Sequence, residues 1–231
     1  MQALAIVLCI LLFTQACFAQ PVPAKTPDSV HLFPAGAQRG STVAVHVGLE
    51  QSPPNTNFYI RGDGVSGDSV LSREVFDDGQ PSPRRIPTEI PINYPRQWAA
   101  EISISPDAPL GAASWDTFCA SGGSSGSLPF IIGDLPELIE QEPNSTLAKA
   151  HPTMLPITVN GQIHGERDLD YYLVELQSGQ VIYGEVLARR LGSKLEPTIA
   201  IFDASGKPQI FQEDSIGDDP LFAFKASEAG A

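Results

Sequence analysis

Carboxylates are the groups with the most chemistry to offer in this sequence. Asp and Glu number 27 against 14 Lys and Arg, a formal net charge of −13 over 231 residues. A field of that sign repels phosphate backbones and anionic lipid surfaces, which excludes nucleic acid as a partner. It suits solubility outside the cell and leaves oxygen ligands free for a hard cation such as calcium. The four histidines, His31, His46, His151 and His164, lie far apart, and no pair has the three- or four-residue spacing of a helical zinc site. Zinc is not expected.

Other motifs offer less. Gly122-Gly123-Ser124-Ser125-Gly126 satisfies the nucleophile-elbow pattern, but that turn needs a helix after the serine and here strand-like sequence follows. Ser124 therefore reads as part of a Gly/Ser loop. Cys119 stands alone in Asp116-Thr117-Phe118-Cys119-Ala120 with no His or Asp in a telling relation to it, so it reads as a small buried strand residue. Arg61-Gly62-Asp63 is an integrin-type tripeptide of a kind that recurs by chance, and Asn144-Ser145-Thr146 is a glycosylation sequon of consequence only in a eukaryotic cell. The acids Glu213-Asp214 and Asp218-Asp219 read as a solvated loop. Trp98 and Trp115 read as packing residues and not as the aromatic lining of a sugar-cleaving cleft. No catalytic residue is assigned, and the protein is not expected to be an enzyme.

The elements that position these residues are strands. From Ser29 to Asp134 short runs alternate with period two and are broken every dozen or so residues by Gly, Pro, Asn and Asp, the pattern of a β-sandwich. Val43, Val45 and Val47 share one face, as do Ile102 and Ile104, and Leu128 to Ile132 closes the module. Residues 63 to 95 are rich in Gly, Pro and charge and are left unassigned. Alternation resumes with Tyr172, Val174 and Leu176, then Ile182 and Val186, then Ile199 and Ile201, with hairpin turns expected at Ser178-Gly179 and at Asp203-Ala204-Ser205-Gly206. No 3.6-residue apolar period persists for three turns. The fold class is all-β: two β-sandwich modules over 28–134 and 144–231, joined by an acidic linker over 135–143. The chain stops at Ala231 immediately after the strand-like Leu221 to Phe224, so at least one strand of the second module is expected to be missing or supplied otherwise.

An apolar run from Ala3 to Phe13, small residues ending at Ala19 and prolines at 21 and 23 read as a signal peptide over 1–19. The run is too short to span a bilayer. No Lys or Arg precedes Lys25, and Thr14-Gln15-Ala16-Cys17 is a poor lipobox, so secretion ranks ahead of lipid attachment at Cys17. Cleavage removes Cys9 and Cys17, leaving Cys119 and no intramolecular disulfide. The mature protein is expected to be secreted, periplasmic or held at the cell surface.

Glu140-Gln141-Glu142-Pro143-Asn144-Ser145, Val159-Asn160-Gly161-Gln162-Ile163, Asp168-Leu169-Asp170-Tyr171-Tyr172 and Ser178-Gly179-Gln180 resemble the bacterial pre-peptidase C-terminal domain. Ala188 to Ser193, Glu196-Pro197 and Phe202 to Gly206 resemble its variant in long exported planctomycete proteins, and Phe33 to Gly40 with Leu128 to Pro136 resemble the Ig-like module that precedes it there. The resemblance implies an Ig-like sandwich followed by a jelly-roll-like one that binds or positions and does not catalyse. It also implies calcium held by the entering linker: Glu140, Glu142 and Asn144 facing Asp168 and Asp170. Calcium takes six to eight oxygen ligands, which such a set can supply. Ser145 departs from the pattern, which often has Asp there, and so removes one charge.

The expectation is a non-catalytic exported binding or spacer protein with calcium stiffening the joint between its modules. The alternatives are the front part of a larger secreted hydrolase with its catalytic region beyond Ala231, and a surface adhesion protein meeting extracellular polysaccharide or matrix protein.

Overall fold

The structure, a computed structural model, describes residues 27–51, 55–71, 96–123, 126–163 and 168–230. The signal segment 1–19, with Cys9 and Cys17, and the residues Ser124 and His164 lie outside that set. The described residues are all-β apart from two single 3₁₀ turns, in keeping with β-sandwich modules.

In the N-terminal part, β1 (Asp28–Phe33), β3 (Thr42–Gln51), β6 (Arg96–Ile104) and β5 (Val65–Gly67) form one sheet in the order β1-β3-β6-β5. The second sheet runs β2 (Gly36–Gln38), β9 (Leu128–Gly133), β7 (Gly111–Cys119), β4 (Asn57–Arg61), with β8 (Gly122–Gly123) paired to the end of β7. The period-two pattern decides which side chains meet. Val45, Val47 and Leu49 of β3 and Ile102 and Ile104 of β6 point inward from the first sheet, and Phe58, Ile60, Trp115, Phe130 and Ile132 point inward from the second. Phe58 and Trp115 pack with ring centroids 5.9 Å apart. The valine stripe and both isoleucines thus fall where their alternation places them. Trp115 is core and Trp98 packs against it, while Cys119 is only half-buried at the end of β7 and not enclosed as expected.

Among the described residues, the C-terminal part forms four two-stranded ribbons. β10 (Glu137–Ile139) pairs in parallel with β12 (Thr158–Asn160), β11 (His151–Pro152) with β13 (Tyr172–Leu173). β14 (Val181–Glu185) pairs antiparallel with β17 (Leu221–Lys225), and β15 (Ile199–Phe202) with β16 (Pro208–Gln212). β10 lies inside 135–143, so the segment read as a linker is partly a strand of the second module. The turn at Asp203 to Gly206 does join β15 to β16: Gly206 holds φ +81° and donates its N–H to the Asp203 carbonyl at 2.8 Å. The turn at Ser178-Gly179 does not make a hairpin, because the residues flanking it both pair with the C-terminal stretch, Leu176 with Gly230 and β14 with β17.

Candidate metal centre

Three segments converge on the carboxylates. β10 lies parallel to β12, and Glu140, the residue after β10, accepts the backbone N–H of Gln162 on Oε1 at 2.7 Å. Its own N–H donates to the Asn160 carbonyl at 2.9 Å. Gly161 makes this approach possible, since a Cβ there would lie 2.5 Å from Glu140 Oε2. The third segment arrives through Tyr171, whose N–H donates to the Asn144 carbonyl at 3.1 Å, and through Tyr172, whose hydroxyl donates to Glu140 Oε2 at 3.1 Å.

Carboxylate oxygens of Glu140, Glu142 and Asp170 lie within 4.8 Å of one another. Glu140 is 1% exposed and Asn144 is fully buried. Neither side-chain atom of Asn144, nor Oδ1 of Asp170, has a hydrogen-bond partner of good geometry. The Asn144 amide nonetheless lies near enough to Asp170 to favour its charged form. Asp168 stands further out, where Ser145 donates to its Oδ1 at 3.5 Å. Glu142 accepts the Asn144 backbone N–H at 2.9 Å, so one linker residue fixes the turn that carries the next. All five residues named from the sequence therefore meet in one place, three carboxylates at its centre with Asn144 beside Asp170 and Asp168 at the rim.

The electrostatics of the cluster are unfavourable on their own. Burial pushes Asp170 up to about 7, and the charges of Glu140, Asp168 and Glu142 add to the rise. Glu140 is also raised, first by burial and then by Glu142 and Asp168, against the two hydrogen bonds it accepts. Two unit charges at such a separation repel by on the order of 3 kcal/mol at an effective dielectric of about 20. A bound divalent cation would offset the repulsion among these carboxylates and favour their charged forms. The set could hold a hard cation: the candidate donors are carboxylate oxygens of Glu140, Glu142 and Asp170, with the side-chain oxygen of the buried Asn144 beside them. Tyr172 and Gly161 shape this site although the sequence assigned them no part in it; Tyr172 read as a strand residue on an apolar face.

The acids at 218–219 behave otherwise. Asp219 is fully buried and accepts N–H bonds from Ala188, Arg189 and Arg190 at 2.8–3.2 Å, and the Arg190 Nε at 3.0 Å. Burial alone would raise its pKa, but these donors outweigh it and hold the carboxyl below its ordinary value. Asp219 is thus an anchor for the 3₁₀ turn Arg189–Leu191 and not part of a solvated loop. In the tripeptide at 61–63, the Arg61 guanidinium is committed to Asp116 at 2.8 Å and lies 5.4 Å from the Tyr59 ring centre.

No protein-family model matches the chain. A stretch of 100 residues, 42% of the chain, is 33% identical to part of a probable subtilase-type serine protease of Deinococcus radiodurans. The match spans only 14% of that protein's length. Among solved structures, domains 5-6 of the S-layer protein SbsC align over 87% of this chain and 86% of that one, with 7% identity and a TM-score of 0.25, too low for any argument.

Proposed function

We propose that this chain is an extracellular, non-catalytic binding or spacer unit of the pre-peptidase C-terminal kind, whose second module is completed by calcium at Glu140, Glu142, Asn144, Asp168 and Asp170. The observation that carries this reading is the convergence of Glu140, Glu142 and Asp170, whose carboxylate oxygens lie within 4.8 Å of one another, with the fully buried Asn144 beside them and no donor on its side-chain oxygen. A buried acceptor without a partner costs on the order of 1–3 kcal/mol, and a cation is a partner that the Asn144 oxygen and the carboxylates could share. The likeness to a subtilase-type protease supports a setting outside the cell.

Calorimetric titration of metal-stripped protein tests the assignment. Calcium should bind saturably at one site, Asp170→Asn and Glu140→Gln should abolish the binding, and magnesium, which demands tight octahedral geometry, should bind more weakly. Absence of calcium binding, or binding that survives both substitutions, would remove the metal from the account.

A second reading has a specific observation in its favour. The chain resembles part of a much longer protease, which supports a place as one module of a larger secreted hydrolase. Sequencing the gene beyond the codon for Ala231 distinguishes an uninterrupted catalytic region from a stop.

A further inference from the structure

The two halves of the chain meet at the side chain of Asn160. Its Oδ1 accepts the Ala35 N–H at 3.3 Å, and its Nδ2 donates to Glu137 Oε2 at 2.6 Å. Ala35 belongs to the first half, where its carbonyl accepts the Ile131 N–H at 3.0 Å. Glu137 opens β10 of the second half, and the Asn160 carbonyl accepts the Glu140 N–H just beyond that strand at 2.9 Å. One buried side chain thus clasps the segment between β1 and β2 to the β10–β12 ribbon.

The same residue stands in a labile sequence context. Of Asn55, Asn57, Asn93, Asn144 and Asn160, only Asn160 is followed by glycine. In an Asn-Gly pair the glycine backbone nitrogen attacks the asparagine Cγ with no side chain in the way. The bond from Cγ to the amide nitrogen breaks, ammonia leaves and a succinimide ring remains. Water then opens the ring at one carbonyl or the other, giving aspartate or isoaspartate. The sum is an amide and water converted to a carboxylate and ammonium, with no oxidant or cofactor. The fold nevertheless demands both members of the pair. A Cβ at 161 would lie 2.5 Å from Glu140 Oε2. Position 160 needs a donor toward Glu137 and an acceptor toward Ala35 at once, which an amide supplies and an ionised carboxylate does not.

We infer that Asn160 is a site of spontaneous deamidation, restrained by its two hydrogen bonds, and that its conversion unfastens the two halves irreversibly. To turn toward the Gly161 nitrogen the amide must give up both Glu137 and Ala35, so the reaction waits on opening of the clasp. After conversion to aspartate a carboxylate faces Glu137 where a donor stood. Burial already raises the pKa of Glu137 against the one hydrogen bond that lowers it, so a second negative charge beside it is costly. Isoaspartate instead adds one carbon to the backbone at the end of β12, where Asn160 pairs with Ile139. The inference stands on the clasp alone and does not involve a metal at Glu140.

Ageing of the full chain at mildly alkaline pH in chelator, followed by peptide mass spectrometry, tests it. The mass gain of amide-to-acid conversion should appear at Asn160 ahead of every other asparagine, and should form tenfold or more faster in the denaturant-unfolded chain. The converted form, separated by ion exchange through its extra negative charge, should show a larger radius of gyration in small-angle scattering while keeping its β-sheet circular dichroism. Neither measurement needs a variant. Glu137→Ala should speed conversion of the folded chain tenfold or more, whereas Glu137→Gln, which keeps an acceptor for Nδ2, should convert like the parent. No conversion at Asn160 in the folded parent, equal rates in the folded and unfolded chains, or a converted form that scatters like the parent would overturn the inference.

Discussion

The two halves of the molecule bury different kinds of residue. Before residue 134 a single cluster of sixteen buried apolar side chains, from Leu32 to Ile132, joins two sheets. After it, the buried apolar residues among those described are Leu176, Ala188, Ala226 and the prolines 197 and 220, and the buried polar ones are Glu140, Asn144, Asn160 and Asp219. Large apolar side chains there face water instead, Met154, Tyr183 and Phe211 among them. A two-stranded ribbon is marginal by itself in water, so the second half depends on polar anchors between ribbons: Asp219 for the turn after β14, Glu140 for the meeting of three segments, and Asn160. The last bonds Glu137 at 2.6 Å and accepts the Ala35 N–H of the first half at 3.3 Å. An apolar core stabilises through area and is indifferent to pH and ions; a polar anchor works only while its partners and charges are in place.

The largest expected effect lies in the first half. Phe130→Ala, at a fully buried ring, should cost about 3–5 kcal/mol in denaturant-induced unfolding. The loss should be the same at pH 5 and pH 8 and the same with or without calcium. Dependence on either would blur the contrast between the halves.

Next comes Asp219→Ala, which strips the acceptor from three backbone N–H groups and Arg190. A cost of about 2–4 kcal/mol is expected, confined to the second half and read by hydrogen exchange of residues 181–191. The sign of the pH effect follows from the lowered pKa of Asp219. Its contribution is complete at neutral pH and disappears on acidification through its folded-state value, and Asp219→Asn should flatten that acid limb.

Asp170 gives the opposite sign. Its folded-state value of about 7 lies above the ordinary 3.8, so the metal-free folded state holds that proton more tightly than the unfolded chain. Stability in chelator should therefore fall as pH rises between those values and level off above them. Thermal midpoints at pH 5 and pH 8 check this, and Asp170→Asn should reduce the difference. The smallest effect is Tyr183→Ala, an exposed side chain worth less than about 0.5 kcal/mol; a larger loss would mean that the second half packs more apolar surface than its ribbons show.

Much of the first half was legible because strand alternation and burial are the same signal there: Val45, Val47, Ile102 and Ile104 are core because every second residue must be. Residues 63–95 gave no such periodicity, and of that stretch only 63–71 is described. In the second half alternation located strands but not their partners. Leu176 and β14 both pair with the C-terminal stretch because ribbon pairing is set by tertiary anchors, which leave no period in sequence. Glu140, Glu142, Asn144, Asp168 and Asp170 were named together from the sequence only through a resemblance, and the structure brings them near one another. Asp219 was not legible, because an acid in a run of acids looks solvated unless the backbone donors that converge on it are known. Gly161 and Tyr172 escaped for a similar reason, each serving Glu140 from across a strand pair.

We propose that the second half, and not the first, is stabilised by a cation at the Glu140–Asp170 cluster. Scanning calorimetry of the full chain in chelator and in millimolar calcium tests it most directly. Two transitions are expected, of which only the one weakened by Asp219→Ala moves upward with calcium, by up to about 2.7 kcal/mol at a hundredfold excess over the dissociation constant. Transitions that stay fixed in calcium, or an upward shift of the one weakened by Phe130→Ala, would contradict it.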